Sequence, residues 1–172
     1  MMAHRLSRLA IVDPEHIARV VALYERRGLL ERIDGDPTAT AAAWLSFARE
    51  DLDGVATLID GASYRLGYNA AYDTLRHAAE VVVQRAGGRV TSAQGGHEAV
   101  FALADALVGS VAPGVFAGVR VGVSRLKRHS LEYVSDNPIS VSEADAREVL
   151  QWARDGVAAA TAFVALASAP RI

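Results

Sequence analysis

The stretch SYRLGYNAAYDTLRHAAEVVVQRAGG, residues 63–88, constrains the fold more than any other part of the chain. At about 100° per residue, Tyr64, Tyr68, Ala71, Leu75, Ala79, Val82 and Ala86 fall within one narrow face, the signature of an amphipathic helix. Gly87 and Gly88 supply the left-handed cap that ends it. Strand signals are nearly absent: there is no sustained alternation of apolar and polar residues, and β-branched runs are few apart from Val81–Val83. The chain predicts an all-α bundle.

The remaining helices follow from caps and breakers. Asp13-Pro14-Glu15 reads as an N-cap followed by proline at the first helical position, opening a helix that runs to about Ile33. The DGDP segment at 34–37 stops it, so residues 1–36 are expected to form an N-terminal helical arm and 37–170 the bundle. Thr38 or Thr40 starts a second helix, in which Trp44, Phe47, Leu52, Val55 and Leu58 recur at helical spacing. The short turn Gly61-Ala62-Ser63 predicts an antiparallel neighbour. A glycine-rich loop leads to a shorter helix near GGHEAVFALADALVG, and Pro113-Gly114 opens another that holds residues 115–134 and is closed by Ser135-Asp136-Asn137-Pro138. Ser142-Glu143-Ala144-Asp145 is a start resembling a capping box, and the last helix runs to about Ala167.

Composition narrows the function. A chain of 172 residues suits one domain, or one domain with an arm. Its formal charge of −2 makes nucleic-acid binding by the whole surface improbable, so any such contact must come from a local basic patch. With no cysteine there is no disulfide framework and no thiolate chemistry, which fits a reducing cytoplasm. The opening residues reach a proline and an acid too soon for a signal peptide, and the longest apolar stretch, 157–169, is too short to span a bilayer. A soluble, cytoplasmic protein is expected.

The local basic patch exists. On the helix expected over 115–134, Val115, Val119, Val123, Leu126 and Tyr133 share an apolar face, while Arg125, Arg128, His129 and Glu132 form a second stripe at i, i+3, i+4 and i+7. Arg120, Arg125, Lys127 and Arg128 against Glu132 give that segment +3 in a chain whose total is −2. The plain alternative is a solvated face in which Arg128 and Glu132 pair. Towards its N-terminus, however, the stripe runs into Val121 and Gly118, which want burial. The 63–88 helix carries its own polar stripe of Arg65, Asn69, Asp73, Arg76 and Glu80, read as a ladder of surface pairs except at Asn69. A mid-helix asparagine costs propensity, so Asn69 is expected to bond across to a neighbour such as the arginine stripe. His77 is expected to be exposed, and the five histidines lack metal-binding spacing. The glycines of AGGRVTSAQGGH do not follow a strand, so they are loop glycines rather than a phosphate cradle. Residues 15–34 have the look of part of a helix-turn-helix, but no suitable helix precedes them.

Four segments together resemble the HEPN family, the higher eukaryotes and prokaryotes nucleotide-binding domains. They are YNAAYDTLRHAAEVVVQRAGG (68–88), GGHEAVFALADAL (95–107), RLKRHSLEY (125–133) and ISVSEADAREVLQWARDGVAAATAFV (139–164). The resemblance implies four to five core helices and a homodimer whose two basic helices face each other across a cleft. It also implies RNA or nucleotide phosphate as ligand, and the activity of a metal-independent ribonuclease of a toxin–antitoxin or defence system, without cofactor or metal. Residue by residue, Arg128 matches the family's arginine, His129 takes the polar position beside it, and Tyr133 stands where the family has histidine. On that reading Arg128, His129 and Tyr133 are the catalytic candidates, and Arg125, Asn69 and Glu132 contact substrate. Cleaving RNA without metal needs a base, an acid and a cation for the phosphorane. Arginine serves the last role through its fork, histidine titrates near neutrality, and tyrosine, near 10, is a poor base at pH 7. The alternative is a catalytically inactive interaction module that binds a partner such as a nucleotidyltransferase antitoxin.

Overall fold

The computed structural model describes residues 13–109, 112, 114–117 and 140–172. Helix α1 spans Pro14–Arg26, and its N-cap Asp13 accepts the Glu15 amide at 3.0 Å. Strand β1 (Leu30–Arg32) follows, then α2 (Thr38–Asp60), α3 (Tyr64–Arg85), strand β2 (Gly88–Val90), α4 (Gly96–Val108) and α5 (Glu143–Val164). The architecture is an all-α bundle carrying one two-stranded antiparallel ribbon.

Helix α3 is the axis of the molecule. It packs against α2, α4 and α5, and Tyr68, Ala71, Leu75, Ala79, Val82 and Ala86 of its expected apolar face are buried. Burial also extends to Tyr72, Ala78, Val81 and Val83, so the helix is enclosed well beyond one stripe. Helix α2 runs antiparallel to it, as the three-residue turn demands. Helix α5 runs parallel to α3: Tyr64 donates to Glu143 at one end, and Arg85 donates to the carbonyl of Leu166 at the other. The α3–α5 approach is close because Gly156 has no side chain, and a Cβ there would sit 2.7 Å from Leu75 Cδ1. The capping box expected at Ser142 and Asp145 is present, with both reciprocal bonds formed. Helix α1 lies on α4 and adds Ile17, Val21 and Tyr24 to the same buried cluster.

Three expectations are corrected. Helix α1 stops at Arg26, not near Ile33, because Gly28 takes φ +66°. The Leu29 amide then bonds back to Tyr24 O and the Gly28 amide to Glu25 O, closing a left-handed cap. The chain continues into β1, which pairs with β2 in the register Leu30–Val90, Glu31–Arg89, Arg32–Gly88. Strands of three residues are too short to show an alternating pattern. Second, α2 buries Ala41, Leu45, Ala48, Val55 and Ile59, whereas Trp44 and Phe47 stay 51% and 54% exposed. The buried face is centred about 60° round the helix from Trp44. Alanines there let α2 approach α3 and α5 more closely than the two rings would allow. Third, residues 114–117 are turn and bend rather than the start of a helix, although Val115 and Phe116 are buried in the core. The rest of the helix expected over 115–134, with its basic stripe, lies outside the described residues, as do residues 1–12.

Candidate functional site

Of the six residues singled out for chemistry, Arg125, Arg128, His129, Glu132 and Tyr133 lie outside the described residues. Asn69 is described. It sits half-buried near the start of α3, and its Oδ1 is buried without a hydrogen-bond partner among the described residues. An unsatisfied buried acceptor costs about 1–3 kcal/mol, so the position is held against its own local interest.

Two turns further along the same stripe of α3 stands a connected polar group. Arg76, with a side chain only 20% exposed, bonds Glu80 one turn on and lies 3.7 Å from Asp73 one turn back. Its Nη2 also donates to His77 Nε2 at 3.0 Å, and His77 Nδ1 meets Asp51 Oδ2 of α2 at 3.3 Å. A guanidinium has only donors, so Nε2 must accept, which leaves the proton on Nδ1 for Asp51. Both ring nitrogens are therefore engaged. The ladder read from sequence holds for Asp73, Arg76 and Glu80, while His77 is not the free surface residue expected. Its link to Asp51 depends on α2–α3 packing, which no spacing within one helix reveals.

Beside this group lies a cavity of about 240 Å³, lined by Trp44 of α2, by His77, Glu80, Val81 and Gln84 of α3, and by the three residues of β2. Trp44 and Phe47 meet edge to face, with centroids 5.8 Å apart. Spacing alone groups both rings with Leu52, Val55 and Leu58 along the helix. The alanines Ala41 and Ala48 beside them were the signal that the contact face lay elsewhere.

A separate polar cluster fastens the far end of the bundle. Arg147 of α5 donates to Glu143 at 2.7 Å and to Asp60 at 3.2 Å, and the Tyr64 hydroxyl donates to Glu143 at 3.2 Å. The hydrogen bond and charge of Arg147, then the bond from Tyr64, hold the Glu143 carboxyl below the usual glutamate range. Desolvation first, and the Glu143 charge second, raise the Tyr64 phenol. Among the described residues, no group of three or more histidine, aspartate or glutamate side chains is placed to hold a metal ion, and no helix is long and apolar enough to cross a membrane.

No protein-family model, curated protein or solved structure matches this chain.

Proposed function

We propose that this chain is a HEPN-like protein that works as a homodimer and binds RNA or a nucleotide phosphate in a cleft between the two copies. Arg125 and Arg128 grip phosphate oxygens through their guanidinium forks. His129 supplies the imidazole for proton transfer where the ligand is cleaved, and the Tyr133 phenol and Glu132 carboxylate orient it. The observation that carries the reading is Asn69, whose buried Oδ1 lacks a donor among the described residues on the central helix of the bundle. A phosphate oxygen cannot satisfy an acceptor, but a guanidinium, a ribose hydroxyl or a base amine can. The +3 charge of residues 115–134 and the helical-bundle fold support the same reading.

Fluorescence anisotropy with a labelled single-stranded 20-nucleotide RNA tests it. Neutralising about three phosphates gives a slope of roughly −2 in log K against log salt, so raising sodium chloride from 50 to 300 mM weakens binding about 40-fold. Arg128→Ala removes one guanidinium from each copy and should lower the slope by about 0.7 for each that contacts a phosphate. Absence of binding at 50 mM salt, or a slope untouched by Arg128→Ala, refutes it. Light scattering should give twice the chain mass.

A further inference from the structure

Among the described residues one edge of the ribbon is unpaired beside the cavity, with Gly88 buried, Arg89 exposed and Val90 half-buried. Ile33 donates to Gly87 O at 2.8 Å and Thr91 donates to Leu29 O at 3.0 Å, which fixes the parity of the ladder. Glu31 and Arg89 are then the hydrogen-bonded pair between them, and the amides and carbonyls of Gly88 and Val90 point away from β1. No hydrogen bond among the described residues reaches those four groups. All three residues of β2 line the cavity and none of β1 does, so the cavity lies along the open edge.

Charge and shape say what fits there. The Arg89 guanidinium is occupied by Glu31 at 2.6 Å. The other charged residue lining the cavity is Glu80, and behind it Arg76 is shared with Asp73 while Asp51 meets His77, so acids outnumber the one cation in this group. Arg76 holds Glu80 Oε1, and Oε2 has no hydrogen-bond partner among the described residues. The opposite wall is the exposed Trp44, and Val81 and Val83 form the floor. An aromatic face, an aliphatic floor and a carboxylate together suit a lysine or arginine side chain, whose stem packs while its cation meets Glu80 and the ring. The same acids repel phosphate, so the surface is distinct from the cleft proposed for RNA.

We propose that the open edge of β2 and the Trp44-walled cavity form a docking site for an extended segment of a partner protein. That segment adds a third strand to the ribbon and places one basic side chain in the cavity. Main-chain bonds to Gly88 and Val90 supply affinity, and the cavity reads the side chain between them.

The test uses the full chain and a blocked heptapeptide of alternating threonine and valine with a central lysine. Amide NMR shifts follow the titration. Gly88 and Val90 amide protons should move downfield while the Arg89 amide, already bonded to Glu31, stays in place. Replacing the central lysine by glutamate, placing prolines on either side of it, or substituting Trp44→Ala should each weaken binding at least tenfold. Trp44→Ala should leave RNA affinity unchanged. The proposal is overturned if the lysine peptide does not bind at millimolar concentration. It also fails if the proline peptide binds equally well, or if Trp44→Ala leaves peptide affinity intact.

Discussion

Arg85 tests whether this bundle is closed by a buried cation that bonds backbone carbonyls, with the charge of Asp36 as its acidic neighbour. The residue is 7% exposed at the last turn of α3. Its Nη2 donates to Leu166 O at 2.8 Å and its Nε reaches Val164 O at 3.5 Å, so one guanidinium serves the carbonyl end of α5. A charge-assisted bond to a carbonyl contributes about 1.5–3 kcal/mol, and the 3.5 Å contact contributes little. A cation at a helix C-terminus adds about 0.3–1 kcal/mol. Against these stands the desolvation of the guanidinium, which Arg85→Met would relieve while keeping most of the volume. Leu166 is only half-buried, so water reaches part of this end and tempers that relief. The expected net loss for Arg85→Met is about 2–3 kcal/mol, read from urea unfolding. For a chain of this length that lowers Tm by about 5–10 °C. Arg85→Lys should recover less than half, since a point charge cannot span two carbonyls. The Ile172 amide, bonded to Ala86 O at 2.8 Å, should exchange faster in the methionine variant as the tail loosens. A methionine variant as stable as the parent would show that desolvation outweighs the bonds, and would refute the reasoning.

Four further outcomes are expected. Ala62 closes α2 at φ +60° with its amide on Ile59 O, so Ala62→Gly should stabilise by about 0.5–1 kcal/mol in urea unfolding. Gly156→Ala gains about 1 kcal/mol of helix propensity, but it drives a Cβ against the fully buried Leu75 and Phe116. Overpacking at about 1–3 kcal/mol should win, giving a net loss in the same assay. Glu143 titrates below its ordinary value in the fold, so its contribution is present above the ordinary glutamate range and is lost as pH falls through the lowered value. Glu143→Gln should remove that part of the acid-unfolding curve. Asp105 has the opposite sign: burial raises its carboxyl while the His16 charge opposes, so stability falls as pH climbs from the ordinary aspartate value through the raised one, and Asp105→Asn should flatten that window.

The parts of the fold legible in sequence were those governed by local rules. The α3 stripe, the N-cap at Asp13 and the capping box at Ser142 depend on residues within one or two turns of each other, and each formed as its spacing demanded. The ribbon was not legible, because β1 and β2 are three residues long and are joined by pairing across more than fifty positions. The end of α1 was signalled by Gly28, but Arg26, Arg27 and the leucines after it continue a plausible helical pattern. On α2 the apolar residues outnumber those the core can accept, and which ones are buried depends on how near α3 and α5 come. Spacing ranks residues by hydrophobicity, whereas packing ranks them by the room available.

The same distinction decides what each polar residue is for. Asn69 is marked by sequence because an asparagine in a helix interior sacrifices propensity, and its buried oxygen has no donor among the described residues. Arg76 and His77 look alike in sequence to exposed pairs, yet Arg76 bonds His77 and His77 reaches Asp51 of another helix, while Arg76 Nε stays buried without a hydrogen-bond partner among the described residues. The bonds from Arg76 through His77 to Asp51 hold the wall of the cavity in place. On the reading proposed here the two ends of this stripe of α3 serve different partners: the Asn69 end would complete a site with donors from the basic segment or from RNA. The His77–Glu80 end, bordered by a strand edge that is unpaired among the described residues and by an exposed tryptophan, would on the same proposal hold a basic polypeptide and turn a phosphate away.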